Sequence, residues 1–175
     1  MGQTAQHESW TDDDAEVWLH SLKPSVMTLG LDRVRAALDH LGCPQDRLNV
    51  VTIAGTNGKG STASYLASIV HQGGYRVGLY TSPHLVHVSE RIRVGGTAIM
   101  PSELRRWAWK VRALVEPSDG SEGIPLTYFE ALTVIAYGYF AEREVDLAVM
   151  EVGLGGRLDA TAVATPLVSV VTPVG

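Results

Sequence analysis

Between residues 49 and 80 the sequence changes its pattern three times, and the order of these patterns limits the chain to one class of fold. A short run rich in β-branched residues, 49–54, predicts a buried strand. A glycine-rich loop follows at 55–62, apolar residues at helical spacing continue to residue 74, and 75–80 predicts a second strand. Strand, glycine loop, helix and strand in this order indicate a βαβ unit, with the loop at the carboxyl end of the first strand.

The rest of the chain predicts further helices and strands around this unit. Helices are expected over residues 11–22, 31–41, 101–115 and 127–144, buried strands over 146–151 and 167–172, and a short extended piece at 91–94. The expected fold class is therefore α/β, with a mostly parallel sheet flanked by helices. Residues 1 to about 10 are polar and are expected to fray. Because the chain stops directly after a predicted strand, we expect residues 1–175 to form one incomplete domain, truncated at its C-terminal side.

Composition argues against several classes of protein. Of the 175 residues, 45% are hydrophobic and 19% are charged, which excludes disorder over most of the length. A net charge of −5 without a long basic run argues against nucleic-acid binding. The single cysteine, Cys43, excludes an internal disulfide and a cysteine-rich zinc site. No apolar run approaches the roughly 18 residues of a membrane span, and the polar start is no signal peptide, so we expect a cytoplasmic protein without a membrane partner.

The glycine-rich loop has the chemistry of a phosphate-binding site. Glycines between a strand and a helix turn successive backbone N–H groups towards one point, where the helix N-terminus adds positive charge and Lys59 adds more. The usual pattern G-x-x-x-x-G-K-[ST] is broken twice, because Ile53 replaces the first glycine and Gly60 separates the lysine from Ser61. The alternative is a turn that binds no ligand, but the flanking strand and helix favour a nucleotide site.

A second candidate group lies at the end of the predicted strand 146–151. Glu151 is followed by several glycines and then by Arg157 and Asp159, which offer charge-assisted contacts. A carboxylate at the carboxyl end of a strand, close to a phosphate loop, is well placed to hold Mg²⁺ against the phosphates. Taken alone, Glu151 is equally well explained as a solvated residue at a strand end. Its combination with the phosphate loop favours the metal role.

Two further segments offer polar groups near the same edge of the predicted sheet. Ser82, after the second strand, could present a hydroxyl group to a metal ion. His84 and His87 are three residues apart, but no third ligand is apparent, so a structural or substrate-lining histidine is favoured over a zinc ligand. Thr127 and Glu130 have the spacing of a helix capping box, which does not exclude a ligand contact from the same turn.

Six segments, taken together and in order, resemble the motifs of a known family. They read LGLDR (29–33), IAGTNGKGS (53–61), YTSPHL (80–85), SERIR (89–93), LTYFEA (126–131) and EVGLGGRLDAT (151–161). They resemble the N-terminal ATPase domain of folylpolyglutamate synthase, including the bifunctional dihydrofolate synthase type, within the Mur ligase superfamily. The resemblance covers nearly the whole chain from about Trp18 and implies the P-loop NTPase-like fold of the Mur ligase central domain. One departure is Ala162, where the family usually has asparagine.

The resemblance implies ligation of L-glutamate to dihydropteroate or a folate, with ATP and Mg²⁺ as cofactors and an acyl phosphate as intermediate. These substrates are small molecules, and the full-length enzyme is expected to be monomeric. By motif, the resemblance assigns catalytic roles to Lys59 and Glu151, and metal binding to Ser82 and Glu151. The implied ATP-binding residues are Asn57, Gly58, Lys59, Gly60 and Ser61. The implied substrate-binding residues are Gly30, Leu31, Asp32, Thr127, Tyr128, Phe129, Glu130, Leu158, Asp159 and Ala160.

The resemblance also implies that the family's C-terminal glutamate-ligase domain lies outside this chain. We therefore expect these residues alone to bind nucleotide weakly and not to ligate glutamate. A Mur-type cell-wall peptide ligase is one rival, but it would carry Ser or Thr directly after Lys59, and it does not explain the segments 80–85 and 127–130. A non-catalytic nucleotide-binding remnant is another, favoured by the missing domain, whereas the intact Lys59 and Glu151 favour descent from a working enzyme.

Overall fold

The computed structural model describes residues 10–22 and 30–175 of the chain. Its elements, in chain order, are α1 (Asp12–Ser21), α2 (Asp32–His40), a 3₁₀ turn (Pro44–Arg47), β1 (Val50–Ala54), α3 (Lys59–Gln72), β2 (Val77–Tyr80), a 3₁₀ turn (Val88–Arg91), β3 (Ile92–Val94), β4 (Thr97–Ala98), α4 (Pro101–Val115), α5 (Tyr128–Glu142), β5 (Leu147–Glu151), a 3₁₀ turn (Ala160–Val163) and β6 (Val168–Val171). Every predicted helix and strand is present, and the ends differ from the prediction by two residues at most, except that α3 begins at Lys59, inside the predicted loop 55–62. The fraying predicted at the N-terminus concerns residues 1–9, which lie outside the described residues.

One six-stranded sheet organises the fold, in the order β4-β3-β2-β5-β1-β6. Strands β1, β2, β5 and β6 are parallel, and β3 and β4 add an antiparallel edge. Ile53 of β1 lies opposite Glu151 of β5, and Tyr80 of β2 lies opposite Met150. The carboxyl ends of the three central strands therefore meet at one edge of the sheet. The prediction of a mostly parallel α/β sheet is confirmed.

Helices cover both faces of the sheet. On one face α5 is buried nearly all round, and Gly138 allows the ring of Trp107 from α4 to approach its backbone. This burial agrees with the apolar middle of its sequence, residues 131–140. On the other face α3 packs on the sheet through Ala63 and Ala67. In residues 10–22 and 30–175, no helix combines the length and apolar character that crossing a bilayer requires.

The buried face of α3 differs from the one its apolar spacing suggests. Tyr65 and Ile69 are exposed, whereas the small side chains of Ala63 and Ala67 contact the sheet. The reason is that α3 begins directly at the glycine loop, so the loop sets the rotation of the helix about its axis. Small residues on the inner face then allow the helix to lie close to the strands.

Strand β6 does not have the burial that its apolar sequence predicts. Val168 and Val171 are more than half exposed. Because β6 lies at the edge of the sheet and pairs only with β1, its side chains have neighbouring strands on one side alone. The prediction of a buried strand at this position is wrong, since an apolar run does not by itself say whether a strand is central or at an edge.

Candidate active site

The glycine-rich loop joins β1 to α3 and is held to the segment that follows β6. The backbone N–H groups of Thr56 and Asn57 donate to the carbonyl oxygen of Pro173, at 3.0 and 3.3 Å. Gly55 has φ +130°, and a Cβ atom there would lie 2.7 Å from the carbonyl oxygen of Thr172. Gly58 is also left-handed, with φ +83°, directly before the first residue of α3. The conformation of the loop thus requires glycine at two positions.

The N-terminus of α3 has the free groups that an anion site needs. No side chain of the described residues caps this helix, so N–H groups of its first turn are left for a ligand or water. Lys59 curls back over the loop, and its Nζ donates to the carbonyl oxygens of Gly55 and Thr56 at 3.0 and 3.4 Å. Its ammonium group therefore lies over the loop, where a phosphate group could take the place of these two carbonyl contacts.

Glu151, the last residue of β5, is almost completely buried beside this loop. Its Oε2 accepts a 2.9 Å hydrogen bond from the backbone N–H of Ser82, and a Cβ atom at Gly60 would lie 3.5 Å from the same oxygen. Burial raises the pKa of Glu151, while the Ser82 N–H and the charges of Lys59 and Arg91 act in the opposite direction. The structure thus brings Ser82, Glu151 and the start of α3 together at one edge of the sheet.

These groups have the chemistry of a magnesium site that depends on a nucleotide. The hydroxyl of Ser82 and the Oε1 atom of Glu151 form no hydrogen bond with the described residues, so both oxygens are available as ligands. Across the same part of the chain, no three His, Cys, Asp or Glu side chains are grouped to hold a metal ion. Mg²⁺ is commonly bound by one or two protein oxygens together with substrate phosphates, and the residues present fit that mode.

The two loop histidines have different environments. The Nδ1 atom of His84 accepts a 2.9 Å hydrogen bond from the Nε of Arg91. Burial, and next the charge of Arg91, lower the pKa of His84 and so favour the neutral imidazole. The backbone N–H of His87 donates to Glu90. His84 is thus a partner of Arg91, in agreement with the interpretation that favoured a structural or substrate-lining histidine.

Glu130 serves as a structural clamp. The predicted capping box is present, because its carboxylate accepts from the backbone N–H of Thr127 and its own N–H donates to the Thr127 hydroxyl. The same carboxylate forms an ion pair with Arg33 of α2 at 2.7 Å. Both oxygens of Glu130 are therefore engaged with the protein, and the ion pair ties α2 to the start of α5.

The two aromatic residues at the start of α5 form an apolar wall near the carboxyl end of β5. The ring of Phe129 lies against Gly153, where a Cβ atom would be 2.6 Å from its Cζ. The ring of Tyr128 stacks on His20 of α1, with centroids 5.0 Å apart. The Tyr128 hydroxyl is buried and has no hydrogen-bond partner in the described residues. An unpartnered buried hydroxyl suits contact with a polar group of a ligand.

The remaining predicted substrate residues lie in the loop after β5 and at the start of α2. Asp159 closes that loop, because its carboxylate accepts from the backbone N–H groups of Leu154 and Thr161 and from the Thr161 hydroxyl. Leu158 is partly exposed, and Ala160 is buried. Gly30 is half-buried and Leu31 buried, while Asp32 is the exposed first residue of α2. Ala162, at the position that departs from the family, donates its backbone N–H to the carbonyl oxygen of Asp159.

Arg91 is the residue of this region to which the sequence analysis gave no role. It is 9% exposed, and its guanidinium lies over the ring of Tyr128, 5.4 Å from the centroid. The signal available in the sequence was its place in the SERIR segment, directly before β3. That segment is brought back to the end of β2 only by antiparallel pairing, which local sequence does not reveal.

No protein-family model matches this chain, but individual proteins do. The dihydrofolate synthase/folylpolyglutamate synthase of Bacillus subtilis is 39% identical over 163 residues, which are 93% of this chain and 38% of that protein. The solved structure titled Escherichia coli FolC in complex with DHPP and ADP matches 94% of this chain and 38% of its own, with a TM-score of 0.81 and 40% identity. A solved FPGS–AMPPCP–folate complex matches 92% of this chain and 40% of its own, with a TM-score of 0.84 and 35% identity.

The chain therefore spans about two fifths of the length of the proteins that it matches. Over that part the similarity extends through both sequence and backbone, and it covers almost all of the residues described. In sequence and in fold, the chain is thus related to the folylpolyglutamate synthase/dihydrofolate synthase family.

Proposed function

We propose that this chain provides the ATP site of a ligase that joins L-glutamate to dihydropteroate or a folate. The observation that carries the proposal is the hydrogen bond between Glu151 and the backbone of Ser82, beside the start of α3 at Gly60. The ligands named for the matched structures, ADP and AMPPCP with DHPP or folate, support the same assignment.

In the proposed site, the phosphates of ATP lie on the loop 55–58 and the N-terminus of α3. Lys59 exchanges its bonds to the carbonyl oxygens of Gly55 and Thr56 for a charge-assisted bond to the phosphate that is transferred. Ser82 and Glu151 hold Mg²⁺, which would neutralise phosphate charge during the transfer. Binding a cation beside Glu151 favours its ionised form and so offsets the effect of burial on its pKa.

The proposed reaction has two steps. An oxygen of the acceptor carboxylate attacks the γ-phosphorus, the bond to the β,γ-bridging oxygen breaks, and ADP leaves with that electron pair. The glutamate amine then attacks the carbonyl carbon of the acyl phosphate, loses a proton and expels inorganic phosphate. The chain's own residues supply position and positive charge for the first step. Tyr128 and Phe129 are proposed to contact the aromatic part of the acceptor.

Nucleotide titration tests the proposed ATP site. Calorimetric titration of the chain with ATP and Mg²⁺ is compared for Lys59→Met and for Lys110→Met, a matched control because Lys110 lies on α4 over the Trp107 ring. We expect Lys59→Met to weaken binding at least about tenfold, as loss of a charged hydrogen bond predicts, and the control to leave it unchanged. Equal affinity in all three proteins would refute the site.

Acceptor titration separates the proposed substrate class from its rivals. We expect dihydropteroate to bind in the presence of ADP. Binding of a cell-wall nucleotide peptide in its place would support a Mur-type ligase, and binding of neither acceptor would support a non-catalytic remnant. Incubation with ATP, dihydropteroate and labelled glutamate tests the separate prediction that these residues alone do not ligate glutamate. Labelled product from the purified chain would overturn that prediction.

A further inference from the structure

Arg91 is a nearly buried arginine that has no carboxylate partner among the described residues. None of the ion pairs formed within residues 10–22 and 30–175 involves it. Outside those ranges, residues 1–9 and 23–29 contain one acidic residue, Glu8. The guanidinium contacts neutral groups, the imidazole of His84 and the ring of Tyr128. Because burying a charge without a counter-ion is costly, this arrangement indicates that an anion from outside the described residues pairs with Arg91.

The neighbouring acidic residue, Glu90, forms no ion pair with Arg91. The Glu90 carboxylate accepts three backbone hydrogen bonds, from Leu85 at 2.9 Å, Val86 at 3.0 Å and His87 at 2.9 Å. These bonds fix the loop that follows His84. Glu90 therefore helps to position the partner of Arg91 but does not neutralise its charge.

Arg91 lies between the two halves of the proposed active site. Its backbone carbonyl accepts from the N–H of Thr81, the residue before Ser82, and its charge acts on the carboxylate of Glu151. On its other side is Tyr128, next in sequence to Phe129. An acceptor whose rings contact these aromatic residues, and whose carboxylate meets a phosphate near Lys59, would extend from the residue that the guanidinium of Arg91 covers towards the loop that its backbone holds.

We propose that Arg91 binds the carboxylate of the acceptor, and the acyl phosphate formed from it, through its terminal N–H groups. Those groups form no hydrogen bond with the described residues, because the guanidinium donates to them only through Nε, to His84. A guanidinium presents parallel N–H groups that match a carboxylate, and its charge reduces repulsion between the acceptor and the ATP phosphates. His84 is a positioning residue, because it holds the Nε side of the guanidinium. The inference rests on the proposed function.

The test compares two acceptors that differ in one group. Dihydropteroate and its decarboxylated analogue are titrated into the chain with ADP present, so that the nucleotide site is filled and no reaction follows. We expect the native chain to bind dihydropteroate at least about tenfold more tightly than the analogue. In Arg91→Met this ratio should fall to about one, while the affinity for the analogue is retained. Arg91→Lys should recover part of the ratio, because it keeps the charge but not the planar pair of donors.

Arg93→Met is the matched control. Arg93 lies two residues further on, and its Nε donates to the carbonyl oxygen of Glu90, so it is an arginine with a local structural role. We expect the Arg93→Met protein to keep the full ratio of affinities between dihydropteroate and its decarboxylated analogue. An Arg91→Met protein that also keeps the ratio overturns the inference and leaves the proposed function standing. If Arg91→Met weakens the binding of both acceptors equally, the inference is overturned and Arg91 has a structural role. Failure of the native chain to bind either acceptor refutes the proposed substrate class, and the inference with it.

Discussion

The carboxylate of Glu151 and the backbone N–H of Ser82 are joined by a 2.9 Å hydrogen bond that links the end of β5 to the loop after β2. Because the donor is the backbone, this link is independent of the serine side chain. The Ser82 hydroxyl is thereby left for another partner, and the two residues can approach one cation without losing their own contact. The relationship separates the structural role of position 82 from its proposed metal role, and the two can be tested apart.

Ser82→Ala should weaken the binding of Mg²⁺ together with the nucleotide, without destabilising the fold. The backbone hydrogen bond to Glu151 remains, so we expect the free energy of unfolding to change by no more than about 0.5 kcal/mol. The Mg²⁺ concentration for half-maximal ATP binding should rise several-fold. Calorimetry and urea unfolding measure the two effects, with Ser68→Ala, on the exposed side of α3, as control. An unchanged Mg²⁺ requirement would remove Ser82 from the metal site.

Gly60→Ala should weaken the binding of ATP and Mg²⁺ without lowering the free energy of unfolding. A Cβ atom at this position would lie 3.5 Å from Glu151 Oε2, which is ordinary contact, and the residue is in the first turn of α3. We expect the free energy of unfolding to be unchanged or raised by up to about 1 kcal/mol, as for glycine replaced by alanine in a helix. The added methyl group occupies space beside the proposed cation, so ATP–Mg²⁺ affinity should fall about tenfold or more. Undiminished affinity would mean that the phosphates and the ion do not lie here.

Glu90 should make the loop 85–87 sensitive to acid. Its three backbone hydrogen bonds lower its pKa from 4.5 to about 2, so the folded state favours the carboxylate. A lowered pKa in the folded state contributes stability above pH 4.5, and that contribution is lost as the pH falls towards 2. Amide hydrogen exchange of Leu85, Val86 and His87, read against a reference amide in α5, should show protection falling over this range. In Glu90→Gln the protection should be weak at every pH, whereas a profile like that of the native chain would contradict the assignment.

The Arg33–Glu130 pair should contribute far more to the free energy of unfolding than the surface pair Arg105–Asp12 does. Glu130 is buried, so Arg33→Met leaves its carboxylate with only the Thr127 N–H as partner. We expect a loss of about 3 kcal/mol in the free energy of unfolding. Arg105 and Asp12 are each a third or more exposed, and Arg105→Met should cost less than about 1 kcal/mol. Urea unfolding at one pH measures both variants, and similar losses would show that the clamp between α2 and α5 is unimportant.

Much of the fold could be predicted because the signals are local. The β-branched run of β1 and the apolar middle of α5 indicate burial directly. The spacing of Thr127 and Glu130 predicts the start of a helix to within one turn. The glycines of the phosphate loop report backbone conformations that few other residues adopt. Each of these patterns is satisfied by residues close together in the chain, so the sequence alone was sufficient to identify them.

Only the tertiary structure decided which residues of different strands come into contact, because those contacts depend on the order of the strands in the sheet. Placing β5 between β1 and β2 brings Glu151 to Ser82, and leaving β6 at the edge exposes its valines. The antiparallel return of β3 carries Arg91 to His84 and Tyr128. These contacts join residues far apart in sequence, and whether they form depends on which strands become neighbours across the whole sheet. No local pattern records that choice, because pairing free energy is shared among strands and is settled only when they pack together.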